Sequence, residues 1–348
     1  MSNHTVAEVH FEEIANIGDE GRNSDVFVIM DSALNAEMVM KRIPKKQFKD
    51  PDKYFDEARV LHAMKHPNVV DVNYACQDND FVYITMPFYK KGSLSKFMAT
   101  RFLTVREIIR FSVQFLSGLH NIHSNGLMHF DLKPDNVLLS DRNEALLSDF
   151  GLAKYVDEYG FTTPDGLYVK HAPPEVLSTK KFSTVFDIYQ AGLTMYRMCV
   201  GSECFNSQYD SYIVDGSFDK ALFAKDLGEG RFPDRKAFPT HIPVKLQKVV
   251  LKCLEVNPGD RYQAVIEVIN DISQIDECFL DWQFSIDNQV KKWSKASSTG
   301  TRHFLEVDST GKSTAYKISV ADRKTKVPSY TKQTITDREI LRFLKSVV

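Results

Sequence analysis

The stretch His129-Phe130-Asp131-Leu132-Lys133-Pro134-Asp135-Asn136, followed thirteen residues after Asn136 by Asp149-Phe150-Gly151, gathers side chains that could do chemistry. Moving a phosphoryl group from a nucleoside triphosphate to a hydroxyl needs a carboxylate to orient the hydroxyl and accept its proton. It also needs hard oxygen ligands for Mg²⁺ and a cation on the transferring phosphate. Asp131 can serve as the base, Asn136 and Asp149 as metal ligands, and Lys133 as the cation. Each is bland alone, since an Asp in a loop is usually a turn residue. Together, at this spacing and between apolar β segments, they make chance a poor explanation.

The elements that must position these groups fall into two styles. Val26 to Met30 and Met38 to Met40 are apolar runs around Asn35 and read as strands. Asp50 and Pro51 punctuate the start of a helix carrying Phe55, Ala58, Leu61 and Met64 on one face, ended by Pro67-Asn68. Val69 to Ala75 and Phe81 to Met86 are further short apolar runs. Beyond Gly92 the period becomes helical. Thr104 and Glu107 form a capping box, Ile108, Phe111, Phe115, Leu119 and Ile122 follow, and Asn125-Gly126 stops the run. Helices are expected over Val185 to Met198, Val244 to Leu254 and Tyr262 to Ile272.

In this order the landmarks resemble those of the eukaryotic-type protein kinase family, over Ile14 to Ile275. The resemblance implies an α+β, two-lobed protein-kinase-like fold, with a β-rich first lobe over about 10–86 and a helical second lobe over about 93–275. Residues 276–348 would form a small C-terminal appendage, a strand-strand-helix unit. ATP and two Mg²⁺ ions are implied in the cleft, with protein substrates. Lys41 matches the lysine on the α- and β-phosphates, and Glu57 its helix partner. Gly18, Gly21, Ser24, Val26, Val39, Met86, Pro87, Tyr89, Ser93 and Leu138 would line the nucleotide, with Met86 as gatekeeper and Ser93 near the ribose. Leu61, Val72, His129 and Phe150 would stack. Glu175 would pair with Arg261, and Asp187 would brace the catalytic loop. Lys133 favours serine and threonine acceptors over tyrosine.

Several positions depart from the family pattern. Ser24 stands where a third glycine is usual, and Phe130 replaces the arginine before the catalytic Asp, a non-RD variant. That arginine normally pairs with a phosphate on the activation segment, so phosphate-dependent ordering is not expected. Tyr168 falls near the position of a threonine that touches the catalytic loop, and Pro173 and Gln190 are smaller deviations. Lys41, Glu57, Asp131, Lys133, Asn136 and Asp149 are all present, which argues against the rival reading of a pseudokinase.

Charge divides the chain differently. The 348 residues carry a net charge of −2, yet Asn288 to Val348 holds 13 Lys and Arg against 5 Asp and Glu, so an acidic body precedes a basic tail. Such a tail could bind an acidic partner or nucleic acid, or dock on the acidic body through Trp282, Phe284 and Trp293. No apolar run is long enough to span a bilayer, and no signal peptide is expected from Met1 to Asn16. The five cysteines are scattered without metal or disulfide spacing, which points to reduced thiols and a cytoplasmic setting.

Overall fold

A computed structural model describes residues 8–18, 24–48 and 50–347. Its first lobe contains β1 (Phe11–Asn16), β2 (Asp25–Asp31), β3 (Ala36–Pro44), α1 (Asp56–Ala63), β4 (Tyr74–Gln77) and β5 (Phe81–Pro87). The strands form one antiparallel sheet in the order β1-β2-β3-β5-β4. Alternation along β3 buries Met38 and Met40 with Phe27 and Ile29 on one face. It leaves Val39 and Lys41 on the other, beside their β2 partners Val28 and Val26. That second face looks into the cleft.

Two expectations for this lobe need correction. The helix begins at Asp56, and Pro51–Lys53 forms a single 3₁₀ turn instead. Phe48 packs on the Ile43, Ala58 and Ile84 cluster and meets the Tyr54 ring at 5.2 Å, drawing the chain onto the sheet before it can helix. The run from Val69 to Ala75 becomes a strand only at Tyr74, because Val70 N–H donates to the Leu147 carbonyl at 2.8 Å and so belongs to the second lobe.

The second lobe contains α2 (Leu94–Thr100), α3 (Val105–Ser124), β6 (Leu127–Met128), β7 (Val137–Leu139), β8 (Ala145–Leu147), β9 (Lys154–Tyr155), α4 (Val185–Val200) and α5 (Ser202–Asp210). It continues through β10 (Ile213–Val214), β11 (Ser217–Phe218), α6 (Lys220–Gly228), α7 (Val244–Cys253) and α8 (Val265–Ser273). The Thr104–Glu107 capping box starts α3, and Asn125 ends it. A Cβ on Gly118 of α3 would lie 2.4 Å from the Asn68 carbonyl oxygen, so only glycine lets the two lobes approach there. Every residue of α4 is buried, as befits a helix apolar nearly all round at the centre of a core. The last helix starts at Val265 rather than Tyr262, because Arg261 stays extended to reach Glu175.

The basic tail is larger than a strand-strand-helix unit. It forms β12 (Gln283–Asp287), β13 (Val290–Ala296), β14 (Arg302–Val307), β15 (Ser313–Ile318), β16 (Lys324–Lys326) and α9 (Asp337–Ser346), the strands in sequential antiparallel order. Asn288 and Gln289, both at positive φ, make the tight turn between β12 and β13. Trp282, Phe284 and Trp293 are buried, Trp282 against Phe343 and Leu344 of α9, and Phe284 and Trp293 between the tail and the second lobe. There Phe284 meets Phe102 at 4.9 Å and His241 at 4.7 Å. Arg106 pairs with Asp281 at 2.5 Å, and Arg101 reaches both Glu107 and Gln283. On the sheet's outer face, Lys292 pairs with Glu306, and Arg302 with Asp322 of the adjoining turn.

Candidate active site

Between β6 and β7 the chain folds into a loop whose backbone is held from below by α4. Asp187 accepts the N–H groups of His129 (2.8 Å) and Phe130 (2.9 Å), and His123 Nε2 lies 2.7 Å from its Oδ2. Burial opposes the Asp187 charge, but these bonds and His123 overcome it and hold the pKa below the ordinary value. Phe130 sits at φ +65°, a costly conformation for an aromatic residue, which the bracing bonds enforce. The bend carries Asp131 to the mouth of the cleft. Lys133 Nζ lies 2.9 and 3.0 Å from its two carboxylate oxygens, and Asn136 Nδ2 donates to Oδ2 at 2.8 Å. Since Asn136 uses its amide hydrogens here, its Oδ1 is left for a cation.

From the first lobe, Lys41 Nζ reaches Glu57 at 2.7 Å and Asp149 at 3.0 Å. Burial works against the Lys41 charge, yet Asp149 and Glu57 raise its pKa above the lysine norm. The same ammonium is the main reason the Asp149 pKa is lowered to about 2. Asp149 is itself at φ +59°, which turns its carboxylate toward Lys41. Behind it the His129 and Phe150 rings lie 4.9 Å apart, with Leu61 and Val72 in the same apolar cluster. The structure thus brings Lys41, Glu57, Asp131, Lys133, Asn136 and Asp149 to one cleft.

Val26, Val39, Met86 and Leu138, the residues expected to line the nucleotide, are all half-buried. Gly18 is required by close packing, because a Cβ there would sit 2.9 Å from Val26 N. Ser24 leads directly into β2, whereas Gly21 lies outside the described residues. Pro87 ends β5 opposite Met38, and the Tyr89 N–H has no acceptor among the described residues. Ser93 Oγ caps α2 by accepting from Lys96 N–H at 3.2 Å, so its hydroxyl does structural work at the site assigned to ribose contact.

The activation segment is held without a charged pocket at Phe130. That ring packs with Met128, Phe182 and Phe186, and β6 pairs with β9. Thr162 and Phe182 exchange two backbone hydrogen bonds of 2.9 and 2.8 Å. Farther along, Tyr168 places its ring 4.5 Å from Lys133 Nζ, where cation and ring face attract. Glu175 forms a two-pronged pair with Arg261, at 2.9 and 2.6 Å. Sequence reasoning missed His171 and Arg197 and underrated Gln190: all three are buried beside the catalytic loop.

This cleft sets a lysine-glutamate pair above an aspartate-lysine-asparagine loop, between the two lobes of the fold. The profile of the protein kinase domain family matches residues 11–271, and the chain belongs to that family. It is 26% identical over 261 residues to a probable serine/threonine-protein kinase of Clostridium acetobutylicum, covering 73% of this chain and 38% of the relative. It is likewise 26% identical over 267 residues to the probable serine/threonine-protein kinase PknB of Lactococcus lactis, covering 75% and 41%. Over 228 residues it is 31% identical to the serine/threonine-protein kinase atg1 of Dictyostelium discoideum, covering 63% and 32%. The chain therefore spans less than half the length of these relatives.

Proposed function

We propose that this chain transfers the γ-phosphate of ATP to serine and threonine hydroxyls of protein substrates, with Asp131 as general base. The observation that carries the reading is the convergence of Lys41, Glu57 and Asp149 with Asp131, Lys133 and Asn136 across one cleft. Asp131 orients the acceptor hydroxyl and takes its proton, while Lys133, bonded to the same carboxylate, neutralises charge growing on the transferring phosphate. Lys41 holds the α- and β-phosphates, fixed in place by Glu57.

Asn136 Oδ1 and the Asp149 carboxylate would hold Mg²⁺. Among the described residues no cluster of three metal-binding side chains exists. Two hard oxygen donors fit an ion that takes its remaining ligands from phosphates and water. Held there, Mg²⁺ would neutralise charge on the transferring phosphates. The serine/threonine-protein kinases among its relatives favour serine and threonine acceptors, as does Lys133 beside the base. The five cysteines are free thiols, which supports a reducing, cytoplasmic setting. A second reading, in which the tail recruits an acidic partner or nucleic acid, is favoured by Lys291, Lys312, Lys317 and Lys326, which make no ion pair among the described residues.

The test is direct. Incubated with labelled ATP and Mg²⁺, the purified chain is expected to label protein on phosphoserine and phosphothreonine, mapped by mass spectrometry. A spectrum dominated by phosphotyrosine, or label that never reaches protein, overturns the reading.

A further inference from the structure

His171 lies three residues after Tyr168 and four before Glu175, on the substrate-facing stretch of the activation segment, yet its ring is fully buried. Two side chains of α4, seven residues apart and so on one helix face, meet it there. Gln190 Oε1 accepts the Leu132 N–H at 3.0 Å, while its Nε2 donates to the carbonyls of Phe130 (2.9 Å) and His171 (3.4 Å). Arg197 places Nη1 3.0 Å from His171 Nε2 and 3.5 Å from an Asp135 carboxylate oxygen. A guanidinium only donates, so Nε2 accepts, and the imidazole is neutral with its hydrogen on Nδ1. Burial first, then Arg197, Lys133 and Lys170, push its pKa well below the ordinary histidine value. The Leu132 backbone, which works weakly the other way, the Phe205 ring from α5 and the Tyr168 ring on its own segment also border it.

One face of α4 therefore grips the catalytic loop at Phe130 and Leu132, the adjoining Asp135, and the activation segment at His171. We propose that Gln190, Arg197 and His171 are positioning residues that form a phosphate-independent latch between the substrate platform and the catalytic loop. The inference rests on the kinase reading above. The physical need is visible at Phe130: an apolar ring rather than a cation stands at this position before the base, and its backbone is strained. Gln190 ties down the carbonyl of that strained residue and the amide two positions later. His171 N–H in turn donates to the Tyr168 carbonyl at 3.0 Å, so the latch also sets the ring that lies over Lys133. The nucleotide contacts of Lys41 and Asp149 lie across the cleft from it. Loosening the latch should spoil the acceptor side of the site and spare nucleotide binding.

The test uses the full chain, a degenerate serine/threonine peptide mixture with labelled ATP, a fluorescent ATP analogue, and amide hydrogen exchange. Gln190→Ala and His171→Lys should each lower kcat/KM for peptide by about 10- to 100-fold, the scale of a small misplacement of reacting groups. Analogue Kd should change by less than about twofold. His171→Gln keeps an acceptor for Arg197 and should recover peptide turnover to within about fivefold of the parent. The double variant should be no worse than the worse single one, because both break one unit. Exchange at Leu132, His171 and Ala172 should quicken in Gln190→Ala, while His129 and Phe130, held by Asp187, stay protected. Gln190→Glu, which keeps the acceptor and removes both donors, is judged by the same criteria if His171→Lys does not fold. Unchanged peptide turnover overturns the latch, as does a parallel loss of peptide turnover and analogue binding. If the parent chain labels no peptide, the kinase reading fails, and the exchange pattern still decides the latch.

Discussion

At the scale of single residues, Asp131 and Asp149 have separate jobs although both are carboxylates at one cleft. Asp131 is held by Lys133 and Asn136, whereas Asp149 faces Lys41, which keeps it ionised with a pKa of about 2. Asp131→Asn should preserve the fold and nucleotide affinity while lowering phosphotransfer by roughly 10²–10⁴, the range of a general base. Wild-type turnover in that variant, measured with labelled ATP, would remove the mechanism. Asp149→Asn should act earlier, weakening Mg²⁺-dependent nucleotide binding in a titration with and without the metal. These residues were legible in the sequence because the loop holding Asp131, Lys133 and Asn136 is contiguous, and Asp149 follows at a fixed distance. His171 and Arg197 were not: 26 residues separate them, and only the buried path of α4 brings them together.

At the scale of elements, the activation segment depends on apolar and backbone contacts where a charged pocket would otherwise stand. The Phe130 ring meets Phe186 at 5.1 Å and Phe182 at 6.4 Å, and Thr162 is joined to Phe182 through the backbone. A phosphate on Thr162 or Thr163 would find no arginine at position 130, forgoing charge-assisted bonds worth about 1.5–3 kcal/mol each. A Thr162→Ala/Thr163→Ala double variant should therefore keep its peptide kinetics within a few-fold of the parent. A hundredfold loss would show that phosphate orders this segment by another route. Helices with explicit punctuation, such as α3 with its capping box, were readable to the residue. The start of α1 was not, because Asp50-Pro51 is good local punctuation that the packing of Phe48 and Tyr54 overrides. In the tail, β13 hid its alternation behind Lys291, Lys292 and Lys295, whose flexible side chains leave no apolar period to count.

At the scale of the whole molecule, the tail is joined to the second lobe through a seam that contains a buried histidine. His241 is 2% exposed, its ring tilted against Phe284 at 4.7 Å and beside Trp293 at 6.2 Å. Phe102 shares the tail's own apolar cluster. Truncation after Ile275 would remove Phe284 and Trp293 and uncover Phe102 and His241, so the shortened chain should melt at lower temperature and aggregate more readily; an unchanged melt would mean the seam adds nothing. The histidine gives the seam a pH signature. Burial lowers its pKa from 6.5 to about 3. Between those values the unfolded chain holds a proton that the folded chain lacks. Stability must therefore rise with pH through this window, and fall as the medium is acidified below 6.5. By pH 5.5 one such group costs about 1.4 kcal/mol relative to neutral pH. His171, also held neutral by burial, acts in the same direction. His241→Phe keeps an aromatic ring against Phe284 and Trp293 but cannot take a proton. Urea unfolding at pH 7.5, 6.5 and 5.5 should show a smaller loss of stability on acidification in His241→Phe than in the parent, the difference amounting to one proton. Equal slopes in the two proteins would mean that His241 is already solvated in the folded state, and that the tail does not seal the seam.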